Sequence, residues 1–162
     1  MDHPRTYHPA SPILGFCPPA LPARWYTDAA HFTRERAAIQ ATSWTYVGRV
    51  NDLPKLTLRR VEVAGQNLML VKDEAGTVRC FHNTCRHRGS EICLQPEQRL
   101  KAKLISCPYH EWGYDLTGRL ARIPHVPETP GFDKSAHNLL SAHVKLWKGF
   151  TFVCLAQDPP DF

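Results

Sequence analysis

The stretch that decides the reading is residues 85–112, CRHRGSEICLQPEQRLKAKLISCPYHEW. It opens on Cys85-Arg-His87 and closes on Cys107-Pro-Tyr-His110, so each end offers one thiol and one imidazole. Residues of strand character flank both pairs. Two loops of a sheet protein can therefore bring four ligating side chains to one point. Thiolate and imidazole together suit zinc, iron and iron–sulfur centres rather than hard cations.

Two metal readings compete at these residues. A mononuclear zinc site would use Cys₂His₂ in a tetrahedron, and its paired ligands usually stand two to four residues apart. Here a single residue, Arg86, separates Cys85 from His87. Both side chains then strain to reach one small ion. A two-iron cluster removes the difficulty, because the Cys and His of each loop can bind different irons. Rieske centres are built that way, two histidines replacing two cysteines on one iron. The zinc-stabilised structural or interaction module stands as the remote alternative.

Outward from the motif, the sequence alternates with period two. Trp44 to Val47 reads as a strand leading to a turn near Asn51–Pro54. Thr57 to Val63, Asn67 to Lys72 and Thr77 to His82 read as three more, joined by Ala64-Gly65 and Asp73-Glu-Ala-Gly76, both good turn chemistry. Lys103 to Ser106 runs into Cys107, and Tyr114 to Ala121 makes a hairpin about Thr117-Gly118. Ala142 to Leu146 and Phe150 to Leu155 alternate around Lys148-Gly149. Before the strands, Ala29 to Ala41 reads as a helix capped by Thr27 or Asp28, with Phe32 and Ile39 on a narrow apolar face. Residues 1–24 hold six prolines and read as an irregular arm. The expected organisation is an all-β fold of stacked antiparallel sheets with one N-terminal helix: arm 1–24, helical segment 25–43, cluster domain 44–157 and a linker-like end 158–162.

Composition narrows the classes of partner. With 162 residues, the chain is long enough to bury a core without disulfides. Its net charge of +5 comes from scattered Lys and Arg, with no basic stripe interleaved with aromatics, so no nucleic-acid partner is expected. No run approaches the 18 apolar residues of a membrane helix, and Met1-Asp-His-Pro-Arg5 does not resemble a signal peptide. The expected compartment is the cytoplasm. Six cysteines there suggest metal or redox chemistry before disulfides. Cys17, Cys80, Cys93 and Cys154 read as small packed side chains, and His125, His137 and His143 form no second metal set.

Cys85-Arg-His-Arg-Gly89, Cys107-Pro-Tyr-His-Glu-Trp112 and Tyr114-Asp-Leu-Thr-Gly-Arg-Leu120 together resemble the Rieske domain of ring-hydroxylating oxygenase large subunits. The likeness runs over about residues 25–157. It implies a [2Fe–2S] cluster with Cys85 and Cys107 on one iron and His87 and His110 on the other. One departure is visible: Glu111 stands where the family more often has a small residue. The resemblance further implies one-electron transfer from a reductase or ferredoxin to a mononuclear Fe(II), held in a catalytic domain that lies beyond residue 162 in a longer form. In the family that iron belongs to a neighbouring subunit of a trimer, and the substrates are aromatic or quaternary-ammonium compounds. A free-standing Rieske ferredoxin is the alternative. Respiratory Rieske proteins carry a loop disulfide and a serine by the cluster. Here Ser90, Tyr109 and Trp112 take those places, which implies a potential at the low end of the range of about −150 to +300 mV.

Overall fold

The structure, a computed structural model, describes residues 20–124 and 130–162. Among the described residues there are ten strands: β1 (Thr45–Arg49), β2 (Thr57–Val63), β3 (Gln66–Lys72), β4 (Val78–His82), β5 (Glu97–Arg99), β6 (Ile105–Ser106), β7 (Gly113–Tyr114), β8 (Leu120–Arg122), β9 (Ser141–Trp147) and β10 (Phe150–Cys154). All pairings are antiparallel. Seven strands form one sheet in the order β1-β10-β9-β4-β3-β2-β5, and β6-β7-β8 form a second. The all-β expectation holds, with the predicted strands shifted by a residue or two at their ends.

Local chemistry explains the connections. Ala64 (φ +52°) and Gly65 (φ +75°) close the β2–β3 hairpin, and Lys148 (φ +46°) with Gly149 (φ +84°) close β9–β10. Two successive left-handed residues make a turn whose twist matches that of paired strands. Along β3 the side chains alternate between two cores. Met69 and Val71 pack with Leu58, Phe81, Ile92, Ile105 and Tyr114 on one face. Leu68 and Leu70 pack with Leu53, Val63, Val78 and Val153 on the other. Burial on both faces is why this strand reads as an unbroken Leu-Met-Leu-Val run.

β5 went unseen because Glu97-Gln-Arg99 carries no apolar alternation. It is an edge strand on β2, where Arg59 reaches the Glu97 carboxylate from the neighbouring strand. Polar residues suit an edge, since they discourage pairing with other chains.

Two units divide within the helical segment, at Thr33/Arg34, and the sheets belong to the second. Of the helix expected over 29–41, Ala29–Glu35 is α-helical and Arg36–Gln40 widens into a π-type turn. Asp28 caps it, its carboxylate accepting from the Ala30 N–H at 2.8 Å. A 3₁₀ turn, Ala23–Tyr26, follows Pro22 at the end of the stretch expected to be irregular. Residues 1–19, most of the proline-rich arm, lie outside the described residues, as do Cys17 and His125. Among the described residues no helix is long and apolar enough to cross a membrane.

Gly118, in the β7–β8 turn, ties the second sheet to the first. At φ +87° it sits where a side chain is strained, and a Cβ there would stand 2.5 Å from Phe81 Cε1. Gly118→Ala should therefore cost about 2–4 kcal/mol, from left-handed strain plus overpacking. Gly76, at φ +92° with open space around it, isolates the strain alone. Gly76→Ala should cost about 1–2 kcal/mol. Urea midpoints of the two variants check the difference; equal losses would show that the Phe81 contact is immaterial.

Candidate metal centre

The two ligand loops are the same turn used twice. In the first, the Cys85 N–H donates to the Ser90 carbonyl at 2.8 Å and the Gly89 N–H donates to the Cys85 carbonyl at 3.0 Å. In the second, the Cys107 N–H donates to the Trp112 carbonyl at 2.9 Å and the Glu111 N–H donates to the Cys107 carbonyl at 3.1 Å. Each loop thus folds back on its cysteine, and each needs a left-handed residue four positions on. Gly89 supplies it at φ +72°, Glu111 at φ +59°. This explains the preference for a small residue at the Glu111 position: a side chain there is strained. The Gly89 N–H is likewise used inside its own turn.

The loops place their ligand candidates in two pairs. Cys85 and Cys107 are buried and unbridged, 3% and 2% exposed, with their thiols side by side. His87 and His110 stand edge to face with ring centroids 4.8 Å apart, His87 exposed and His110 half-buried. All four residues named from the sequence come to the same end of the domain. Among the described residues no three His, Cys, Asp or Glu side chains converge as they would on a single ion. One thiol pair and one imidazole pair thus stand as candidate ligands for a metal group.

Aromatic residues lock the arrangement. The buried Tyr114 hydroxyl accepts from the Arg86 N–H at 3.1 Å and lies 3.2 Å from Cys85 Sγ. Towards a thiolate, only the hydroxyl can donate. Burial above all, then Cys85, pushes the phenol well above its ordinary range, so it keeps its proton. Trp112, 7% exposed, lies flat on His87 at 4.6 Å and 9°. Tyr109 leans on His110 at 3.7 Å but is itself 61% exposed.

The donor set can be tested against a metal group from its charges. Burial, chiefly, and the neighbouring Cys85 thiol push Cys107 above its ordinary range. A thiol in so dry a place resists ionisation unless a cation compensates it. Burial lowers His87 most, with the charges of His110, Arg88 and His137 adding to it, which favours the neutral imidazole that metals bind. The residues fit a cationic group between the pairs.

Asn83 was not anticipated from the sequence. It is 1% exposed and stitches the first loop: its Oδ1 accepts from the Ile92 and Cys93 N–H groups at 3.1 and 2.8 Å. Its Nδ2 donates to the Cys93 carbonyl at 2.9 Å and to Asn67 Oδ1 at 3.2 Å. An asparagine at the end of an apolar strand, just before a ligand loop, was the available signal. The other cysteines are bystanders as expected: Cys80, Cys93 and Cys154 are buried and free, and burial pushes Cys80 up to about 12. His143 is exposed near the Gln157 carbonyl. His137 is not a bystander, since it packs on Trp112 at 5.6 Å.

Antiparallel sheets that carry two matched loops, each presenting a thiol and an imidazole, define an iron–sulfur β domain. Comparison with known proteins agrees. Residues 43–133 match the family described as the Rieske [2Fe-2S] domain, and the chain belongs to that family. It is 38% identical over 142 residues to the glycine betaine monooxygenase oxygenase subunit of Chromohalobacter salexigens, covering 87% of this chain and 31% of that one. Against the biphenyl 2,3-dioxygenase subunit alpha of Rhodococcus jostii the identity is 35%, with coverage of 87% and 31%. A crystal structure of a quaternary ammonium Rieske monooxygenase superposes with a TM-score of 0.79 at 29% identity, covering 88% of this chain and 40% of that one. The chain spans about a third of the length of the curated relatives it matches. A Rieske domain implies a [2Fe–2S] cluster.

Tyr114→Phe removes the hydroxyl from Cys85 and from the Arg86 N–H while keeping the ring. A hydrogen bond to a charged sulfur that strengthens with its charge is worth about 1.5 kcal/mol, or about 60 mV for one electron. The variant should load normally and its midpoint potential should fall by roughly that amount. An unchanged potential in protein-film voltammetry would mean the hydroxyl does not reach the sulfur.

Proposed function

We propose that this domain relays single electrons through a [2Fe–2S] cluster held by Cys85 and Cys107 on one iron and His87 and His110 on the other, within the domain 44–157. The observation that carries the proposal is the pairing itself: dry thiols inside, and at the tip two imidazoles, His87 exposed and His110 half-buried. When bound, the cluster would supply one reversible electron. The chain's own residues do the rest. The sheets hold the two turns at a fixed separation, Tyr114 donates to Cys85, Trp112 and Tyr109 keep water from the ring faces, and the imidazole edges offer a short path outward.

The donor is a reductase or ferredoxin. The acceptor is the mononuclear non-haem iron of an oxygenase catalytic domain, of the quaternary-ammonium or aromatic class that the relatives' names indicate. Relatives about three times as long have room for such a domain. Iron and sulfide added anaerobically to the pure chain should give a coloured protein with two irons, paramagnetic after one-electron reduction. A colourless, spectroscopically silent product would end the proposal.

The charge around the tip favours an acidic donor. Arg86 and Arg88 are exposed beside His87, and among the described residues neither has an ion-pair partner. The Arg86→Glu/Arg88→Glu variant should slow reduction by an acidic [2Fe–2S] ferredoxin about tenfold at low salt, the gap closing as salt rises. Stopped-flow traces that overlay those of the parent at low salt would exclude docking over this face.

A further inference from the structure

Beyond the two loops, one group of side chains points at the centre. Phe132 and His137 stack on each other at 4.7 Å and 26°. Both meet the buried indole of Trp112 edge-on, Phe132 at 6.1 Å and His137 at 5.6 Å. Trp112 in turn lies flat on His87. Rings therefore run without a break from a segment beyond the motif to one imidazole of the centre.

That segment is built, not loose. The Asp133 carboxylate accepts from the Ser135 N–H at 2.8 Å and from its hydroxyl at 2.6 Å, capping the 3₁₀ turn Lys134–His137. His137 Nδ1 lies 3.0 Å from the Asp133 carbonyl. Just beyond, Asn138 Oδ1 accepts from the Leu120 N–H at 2.9 Å, and the Leu139 N–H donates to the Gly118 carbonyl at 2.8 Å. The turn is thus fixed to the β7–β8 hairpin, whose first strand starts directly after Trp112.

We propose that Phe132 and His137 are positioning residues for His87, acting through Trp112. The inference rests on His87 being a cluster ligand. A metal-bound imidazole usually has its ring plane set by a hydrogen bond from its second nitrogen. Beside any such bond, the flat stack of Trp112 on His87, at 4.6 Å and 9°, constrains the plane of that ring. An indole holds a plane only if it cannot swing. Phe132 and His137 stop it from the outside. The ring against His110, Tyr109 at 3.7 Å, is itself 61% exposed and so holds its partner less firmly.

The asymmetry supplies the test. The full chain, loaded with iron and sulfide and then reduced, gives nitrogen hyperfine couplings for each histidine ligand. The Phe132→Ala/His137→Ala variant should shift one of the two couplings, leave the other in place, and lose iron to a chelator about tenfold faster. His137→Phe, which keeps a ring against the indole, should restore parent values. Couplings that match the parent, or that both move together as in general loosening, would overturn the inference, as would a His137→Phe variant that behaves like the double variant. A parent chain that takes up no cluster removes the ligand assignment and this inference with it. A parent that loads, with a double variant indistinguishable from it, removes the inference alone.

Discussion

Replacing His87 with Ala should yield a folded, colourless protein that retains iron more than about 100-fold less well than the parent. The bound on the loss comes from comparison: removing a residue that only orients a ligand costs about 10–100-fold in metal affinity. On the proposed assignment, deleting a ligand would leave one iron with a single protein bond, so the loss should be larger. His110→Ala should behave alike, since the two imidazoles share a position at the tip. Cys85→Ser and Cys107→Ser should be as severe, because an alkoxide is far harder to form than a thiolate and iron–sulfur centres favour soft donors. The turns themselves should survive. Their closing hydrogen bonds run between backbone groups, Cys85 to Ser90 and Gly89 to Cys85 in the first, Cys107 to Trp112 and Glu111 to Cys107 in the second. Far-ultraviolet circular dichroism should therefore match that of the cluster-free parent. Iron analysis and visible absorption after reconstitution read the result. A His87→Ala protein that keeps two irons would show that the imidazole is not a ligand.

Much of this centre was legible in the residues because metal chemistry is carried by few side-chain types at tight spacing. Cys85, His87, Cys107 and His110 stand out from their neighbours, and the turn residues Ala64-Gly65, Thr117-Gly118 and Lys148-Gly149 announce their hairpins through backbone conformation alone. What stayed hidden depends on three-dimensional contact. Glu97-Gln-Arg99 is a strand only because β2 offers it an edge, and no local pattern records that offer. The π-type widening at Arg36–Gln40 likewise has no mark in the alanine-rich sequence. Trp112 carries no sign in the sequence of what it packs against. Only its 9° angle to His87 shows that it is both buried and part of the site. His137 and Phe132 lie more than forty residues beyond His87, and nothing in their spacing ties them to it. Glu111 shows the reverse case. Its departure from the family pattern was plain in the sequence, but the cause, a left-handed φ imposed by the turn, needed coordinates.

The largest loss of stability without touching a ligand should come from Asn83→Ala. Four hydrogen bonds end on this side chain, at the Ile92 N–H, the Cys93 N–H, the Cys93 carbonyl and Asn67 Oδ1. Ile92 and Cys93 are fully buried, so water cannot replace the lost partner without opening the core. Each buried group left unpaired costs about 1–3 kcal/mol, and single substitutions rarely exceed about 5 in total. A loss of about 3–5 kcal/mol follows. The site should feel it as well, because Asn83 clamps the far end of the segment 84–93 back onto β4, and that segment carries Cys85 and His87. Faster cluster loss should accompany the drop in urea midpoint. Asn83→Asp separates the two halves of the role. It keeps both acceptor contacts to the N–H groups but turns a carboxylate oxygen towards the Cys93 carbonyl and Asn67 Oδ1, so the repulsion should leave it well below the parent. Amide exchange at Ile92 and Cys93 gives the local reading: in the alanine variant both should lose protection by more than the global destabilisation alone explains. If Asn83→Ala costs less than about 1 kcal/mol, the value of a single surface hydrogen bond, then the loop is held by its own turn and by packing, and the asparagine is a passenger.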